Sequence, residues 1–175
     1  VARAISGSDD KFSGNKTRSV NFVTCHDGFT LKDLFSYNNP CNNNPQFKSD
    51  GGTQGEGNIS WDNFGNIKRQ LQAMKNAFLT LMISKGTPMI SGGDEIIKTQ
   101  LGNNNAYCLD TKQNYLNWDL TKTQKEMQDF VKKAAEFRKS HAALRDTNFF
   151  NGKDNNNNGL KDVTWVMAYG KEAYG

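Results

Sequence analysis

Val20-Asn21-Phe22-Val23-Thr24-Cys25-His26-Asp27-Gly28-Phe29-Thr30-Leu31 is the stretch on which the fold turns. Val20 to Thr24 is largely apolar and β-branched, which predicts a strand over Ser19 to Cys25. An adjacent imidazole and carboxylate follow at its carboxyl end, and Gly28 then frees the backbone. Parallel (β/α)8 barrels place chemistry-bearing side chains at that end of a strand. Working outward, Leu31, Leu34 and Phe35 fall at helical spacing and predict a short helix over Thr30 to Tyr37. Residues 38 to about 65 hold Asn, Gly, Pro and Ser with little periodicity, as a long functional loop would.

The next regular element is the clearest. Ile67, Leu71, Met74, Phe78, Leu81 and Met82 lie on one face of a 3.6-residue period. Gly86 stands where a C-terminal cap belongs, and Pro88 stops continuation. Thr87 to Ser91 then predicts a strand ending in Gly92-Gly93-Asp94-Glu95, again acidic at its carboxyl end. Strand, loop, long helix, strand is the parallel βαβ order of an α/β fold. Residues 96–120 predict loops. A last helix is predicted from about 122 to 140, with Thr123 and Glu126 at capping-box spacing. Phe149-Phe150 and Val163 to Ala168 predict strands joined in a hairpin-like way. The change of pattern puts a domain boundary near residue 145.

Composition narrows the functions. The chain has 175 residues, 22 Lys and Arg against 18 Asp and Glu, and a formal charge of +4. The signs are interleaved, as in Lys132 and Lys133 beside Glu126, Asp129 and Glu136, so no phosphate-tracking stripe argues for nucleic acid. No apolar run approaches the ~20 residues needed to cross a bilayer, and the N-terminus lacks a signal-peptide pattern. Cys25, Cys41 and Cys108 are too widely spaced for a zinc site or a disulfide framework, which favours reduced thiols and a cytoplasmic protein. Hydrophobic residues make up 35%, and mean hydropathy is −0.77. With Asn clustered at 42–44, 103–105 and 155–158, the chain predicts long loops.

Two chemistries fail on physical grounds. A His-Asp metal dyad needs further imidazoles, and the only other His is His141, on a helix face. Cys25 and His26 are strand neighbours that point to opposite faces, so they make a poor nucleophile and base. The bland alternative for His26 and Asp27 is that they cap the helix at Thr30.

Several motifs carry a resemblance, in order along the chain. His26-Asp27-Gly28-Phe29-Thr30-Leu31-Lys32-Asp33-Leu34 comes first, then Ser60-Trp61, then Gly86-Thr87-Pro88-Met89-Ile90-Ser91-Gly92-Gly93-Asp94-Glu95. Thr99-Gln100-Leu101-Gly102-Asn103-Asn104-Asn105-Ala106-Tyr107-Cys108 and Trp118-Asp119 follow. Together they resemble the alpha-amylase superfamily, glycoside hydrolase family 13, and its isoamylase and glycogen-debranching branch in particular. The loop between Tyr37 and Ser60 departs from the acidic pattern common in the bacterial enzymes.

The resemblance implies that residues 1–145 are the C-terminal portion of the (β/α)8 barrel, about its last two βα units. It also implies that residues 146–175 begin a C-terminal antiparallel β domain. A complete barrel takes roughly 250 residues, so the chain is expected to be part of a longer enzyme. Retaining glycoside hydrolysis needs a nucleophilic and an acidic carboxyl group about 5–5.5 Å apart. In the family these lie on earlier strands, upstream of Val1, so the chain alone is expected to be inactive. Asp27 matches the family's third carboxylate, which stabilises the transition state, and His26 is expected to bind the same sugar. Asp94 and Glu95 are candidates for sugar contact or for support of the site, the bland alternative for each being a loop carboxylate that pairs with a backbone amide. Trp61 and Tyr107 are expected to stack on glucose rings at the rim, as is Tyr37. The implied reaction is hydrolysis of α-1,6 branch points in glycogen, amylopectin or limit dextrin. No cofactor and no metal are implied, and the implied partners are the branched glucan and the remainder of the barrel. The alternatives are an enzyme of the same superfamily acting on α-1,4 links or transferring glucan chains, and a non-catalytic glucan-binding segment.

Overall fold

The computed structural model describes residues 1–12, 14, 17–43, 45 and 59–173. Half of the long loop expected at 38–65, residues 44 and 46–58, therefore lies outside the described residues. The elements in order are α1 (Ala2–Ile5), β1 (Val20–Asn21), α2 (Leu31–Leu34), α3 (Ile67–Ile83), β2 (Thr87–Pro88), α4 (Lys122–Ser140) and α5 (Ala142–Arg145). A 3₁₀ turn, Asp94–Ile96, follows β2.

β1 and β2 are parallel neighbours, with Val20 opposite Thr87 and Asn21 opposite Pro88. Thr87 N–H donates to the Ser19 carbonyl and Met89 N–H to the Asn21 carbonyl, both at 2.8 Å. α3 is the crossover that makes this parallel pairing possible. Each strand is two residues long, far shorter than the Ser19–Cys25 and Thr87–Ser91 strands the sequence predicts. Strand length depends on neighbours to pair with. Val20, Phe22, Val23 and Met89 are exposed, and among the described residues no third strand pairs with this sheet.

α3 starts at Asn66, whose side chain accepts from Arg69 N–H at 3.1 Å. Met74, Phe78, Leu81 and Met82 are its buried stripe, whereas Ile67, expected on that face, is exposed. The helix closes on Ser84, and Gly86 sits two residues further on at φ +99°. Gly86 therefore does not cap the helix but turns the chain into β2. A Cβ there would lie 2.7 Å from the Ser19 carbonyl oxygen on the neighbouring strand, so the close approach of β1 and β2 depends on a glycine.

α4 packs along α3. Its capping box is formed by Thr121 and Gln124 rather than by Thr123 and Glu126. The helix thus starts one residue before Thr123, and Gln124 also donates to the Ile96 carbonyl at 2.9 Å. Leu31, Phe35, Met74, Phe78, Met127 and Val131 form one core beneath α2, α3 and α4. Burial of such side chains is worth roughly 1.5–3 kcal/mol each.

Beyond α5 the two predicted strands do not form a ladder. Val163 to Ala168 contributes one antiparallel bridge, Val166 with Glu172. Phe149-Phe150 is joined to that segment indirectly: Asp162 takes the N–H groups of Asn151 at 2.9 Å and Gly152 at 2.7 Å. A run of four Asn lies between them, and its loop is wound on the Asp154 carboxylate, which accepts from Asn156, Asn158 and Gly159. Side chains that satisfy the backbone locally compete with strand pairing in this way.

Candidate active site

His26 and Asp27 lie on the loop from Thr24 to Leu31, which follows the carboxyl end of β1. His26 Nε2 lies 3.2 Å from Asp27 Oδ2, with the two side chains 87% and 52% exposed. They do not cap α2, because Thr30 does so itself, accepting from Asp33 N–H at 3.2 Å. The pair is thus free for a ligand on an open face. Cys25 Sγ is turned to the Asp27 carbonyl at 3.5 Å, within its own loop.

Beneath this loop lies Asp94, 2% exposed. Its Oδ1 accepts from Leu31 N–H at 2.9 Å and its Oδ2 from the Thr24 hydroxyl. One carboxylate thereby holds both ends of the loop. Burial pushes its pKa up to about 6, against the opposing pull of the two hydrogen bonds. Of the two roles expected for Asp94, this geometry favours support, since both oxygens face inward. Glu95 behaves differently: its Oε2 closes the local turn, accepting from Gly93 N–H at 2.9 Å.

A second buried carboxylate organises the rim. Asp33 is fully buried; it accepts from the Thr99 hydroxyl and from Gln100 N–H at 2.7 Å. Burial raises its pKa as well. Asp33 thus anchors the Asn-rich segment 99–105. From there the Asn104 carbonyl accepts from Gly28 N–H at 3.0 Å, one residue past Asp27. The Asn42 and Asn104 side chains are buried and paired: Asn42 Nδ2 reaches Asn104 Oδ1 at 2.8 Å, and Asn104 N–H reaches Asn42 Oδ1 at 3.0 Å. Gly102, at φ +79°, lets the segment pass the Tyr37 ring and Cys41, which a Cβ would meet at 2.9 and 3.0 Å.

The aromatic candidates are tied to the same assembly. Trp61 is half-exposed, its ring stands edge-on to Phe35 at 4.6 Å, and its backbone N–H donates to the Leu34 carbonyl at 3.1 Å. Tyr107, 83% exposed, follows directly after the Asn-rich segment. Tyr37 packs near Phe29, with ring centroids 6.2 Å apart.

Sequence reasoning missed Thr24, Asp33, Thr99, Asn42 and Asn104 as members of this network. The Asn-Asn-Asn run was a usable signal, because three consecutive buried-capable amides can satisfy loops at several points. Among the described residues, no group of three or more His, Cys, Asp or Glu stands close enough together to hold a metal ion. No helix among them is long and apolar enough to cross a membrane. A cavity of about 950 Å³ surrounds Lys85, Asp146, Phe149 and Phe150, and no candidate residue lines it.

Known proteins resemble this chain closely in sequence. It is 39% identical to an isoamylase of a Flavobacterium species over 99% of this chain and 23% of that protein. It is 38% identical to a glycogen operon protein GlgX homolog of Mycobacterium tuberculosis, over 98% of this chain and 25% of the other. Among solved structures, pullulanase from Bacillus acidopullulyticus superposes with a TM-score of 0.62 at 22% identity, covering 84% of this chain and 15% of that one. Pullulanase type I from Bacillus subtilis, solved with maltose, gives 0.60 at 23%, covering 84% and 18%. No family model matches. The fold is therefore that of a portion of a pullulanase-type enzyme. Over nearly its whole length the chain resembles a portion of the isoamylase and GlgX proteins, the glycogen-debranching branch of the alpha-amylase superfamily. It spans about a quarter of the length of the curated relatives it matches.

Proposed function

We propose that this chain is the part of a debranching glycoside hydrolase that supplies the transition-state-stabilising carboxylate, and that the whole enzyme hydrolyses α-1,6 branch links in glycogen or related α-glucans. The observation that carries this reading is the exposed His26–Asp27 pair, held on a clamped loop where a parallel strand ends. Homology to an isoamylase over nearly the full chain supports it.

Asp27, ionised, accepts hydrogen bonds from sugar hydroxyls that strengthen as the ring becomes oxocarbenium-like. His26 donates to a hydroxyl of the same sugar. Trp61 and Tyr107 offer aromatic faces to further glucose rings, and the maltose bound to the Bacillus subtilis pullulanase fits such an α-glucan. The nucleophile and the general acid come from barrel strands outside this chain. Residues 1–145 form the last two βα units of that barrel, and 146–175 open a C-terminal β domain. The enzyme acts in the cytoplasm.

The test is release of linear maltooligosaccharides from glycogen and from linear amylose by the complete enzyme. Debranching predicts strong release from glycogen and little new reducing sugar from amylose. Rapid cleavage of amylose overturns the α-1,6 assignment. The 175-residue chain by itself gives negligible turnover; activity near that of the complete enzyme contradicts the placing of the missing carboxylates.

A further inference from the structure

We infer that Asp94 is a positioning residue: its buried carboxylate fixes both ends of the loop carrying His26 and Asp27, and so sets where Asp27 meets the sugar. The inference rests on the role of Asp27 proposed above and extends it to a residue that touches no substrate.

The geometry is that of a strap. Thr24 leaves β1 and Leu31 opens α2, and the two oxygens of Asp94 take one donor from each. Asn104 holds the middle through Gly28 N–H. Only residues 25–27 stand between the first tie and the second, so Asp27 moves only as far as Thr24 and Gly28 allow. Asp94 itself sits just past β2, the parallel neighbour of β1. The strap therefore transmits the β1–β2 register to the loop.

Burial of this carboxylate without an ion pair is costly. Among the described residues no Lys, Arg or His nitrogen lies within salt-bridge distance of it. A purely packing role is served better by an apolar side chain, so the two directed hydrogen bonds are what the carboxylate supplies. Thr24 is buried too, so its hydroxyl is not there for solvent.

The experiment uses the enzyme with its whole barrel and compares Thr24→Val, Thr24→Ser, Asp94→Ala and Asp27→Asn on a branched glucan. A misplacement of about 1 Å costs up to about 10²-fold in rate. Thr24→Val and Asp94→Ala are thus expected to lower kcat by about 10- to 100-fold, with KM nearly unchanged. Thr24→Ser, which keeps the hydroxyl, is expected to retain most of the turnover. Wild-type kcat in folded Thr24→Val, or equal loss in Thr24→Ser, overturns the positioning role even while Asp27→Asn is inactive. Full turnover in Asp27→Asn overturns the underlying site reading instead. If Asp94→Ala does not fold, the Thr24 pair still decides.

Discussion

Arg138 of α4 seats its guanidinium against Ser84 at the end of α3, with Nη1 2.7 Å from the Ser84 carbonyl oxygen. The same nitrogen reaches the Met82 carbonyl at 2.8 Å, and Nη2 reaches that of Gly86. These carbonyls have no intrahelical partner, and a cation at a helix C-terminus also meets the negative end of the dipole. One side chain thereby joins α3, α4 and the entry to β2. Arg138→Ala is expected to destabilise the fold by about 2 kcal/mol, within the range of hydrogen bonds to charged groups. Arg138→Lys is expected to restore only part, because an ammonium lacks the planar fork. Urea unfolding measures both; equal stability of all three proteins removes this role.

Gly86→Ala is expected to be more damaging than a typical glycine replacement in a loop. The position has φ +99°, and the added Cβ collides with Ser19 Oγ and lies 2.7 Å from the Ser19 carbonyl oxygen. Backbone strain and steric conflict act together, so the loss exceeds the roughly 1 kcal/mol of the conformational term alone. The expected signature is a lowered denaturation midpoint together with loss of protection at Thr87 and Met89 N–H in hydrogen exchange.

Asp94 gives the stability a defined pH dependence. Its pKa rises from 3.8 to about 6 on folding. The folded state thus binds the proton more tightly than the unfolded state. The contribution is fully present below about pH 4 and is lost as pH rises through 6, a swing of about 3 kcal/mol. Asp94→Asn is expected to abolish that part of the pH profile between 4 and 7. Chemical denaturation across this range checks it, and an unchanged profile in the variant contradicts the assignment.

The exposed edge of β1 predicts self-association. Val20 and Phe22 are about half exposed, and among the described residues only β2 pairs with β1. Unpaired apolar strand edges invite a second chain. Size-exclusion chromatography with light scattering is expected to show oligomers of the 175-residue chain, reduced by Phe22→Ser. A sharp monomer that melts cooperatively contradicts the partial-barrel picture.

The long helices were legible because periodicity over several turns depends on little but the sequence. α3 and α4 both match their expected spans to within two residues. The order strand, helix, strand was legible for the same reason. Strand length was not, since Val20 to Thr24 and Met89 to Ile90 carry strand residues but need neighbours to pair with. The capping box at Thr121 lay two residues from the one expected at Thr123, because both positions are Thr and only the docking of Gln124 on Ile96 distinguishes them. His26 and Asp27 stood out as chemistry. Asp94 was visible as a candidate, but its grip on Thr24 and Leu31 spans 70 and 63 residues. Asp33 and Asn104 likewise act through tertiary contacts that no local pattern encodes.

The most direct test of the account is the turnover of Asp27→Asn in the enzyme with its whole barrel. The amide keeps the shape of the side chain and removes its charge, so the fold and the melting temperature are expected to hold. Loss of one electrostatic partner in the transition state costs about 10²–10³ in kcat, and that loss, measured as reducing ends released from glycogen, is the expected result. An Asp27→Asn enzyme of unchanged stability that keeps most of its kcat would contradict the assignment of this loop as the active site.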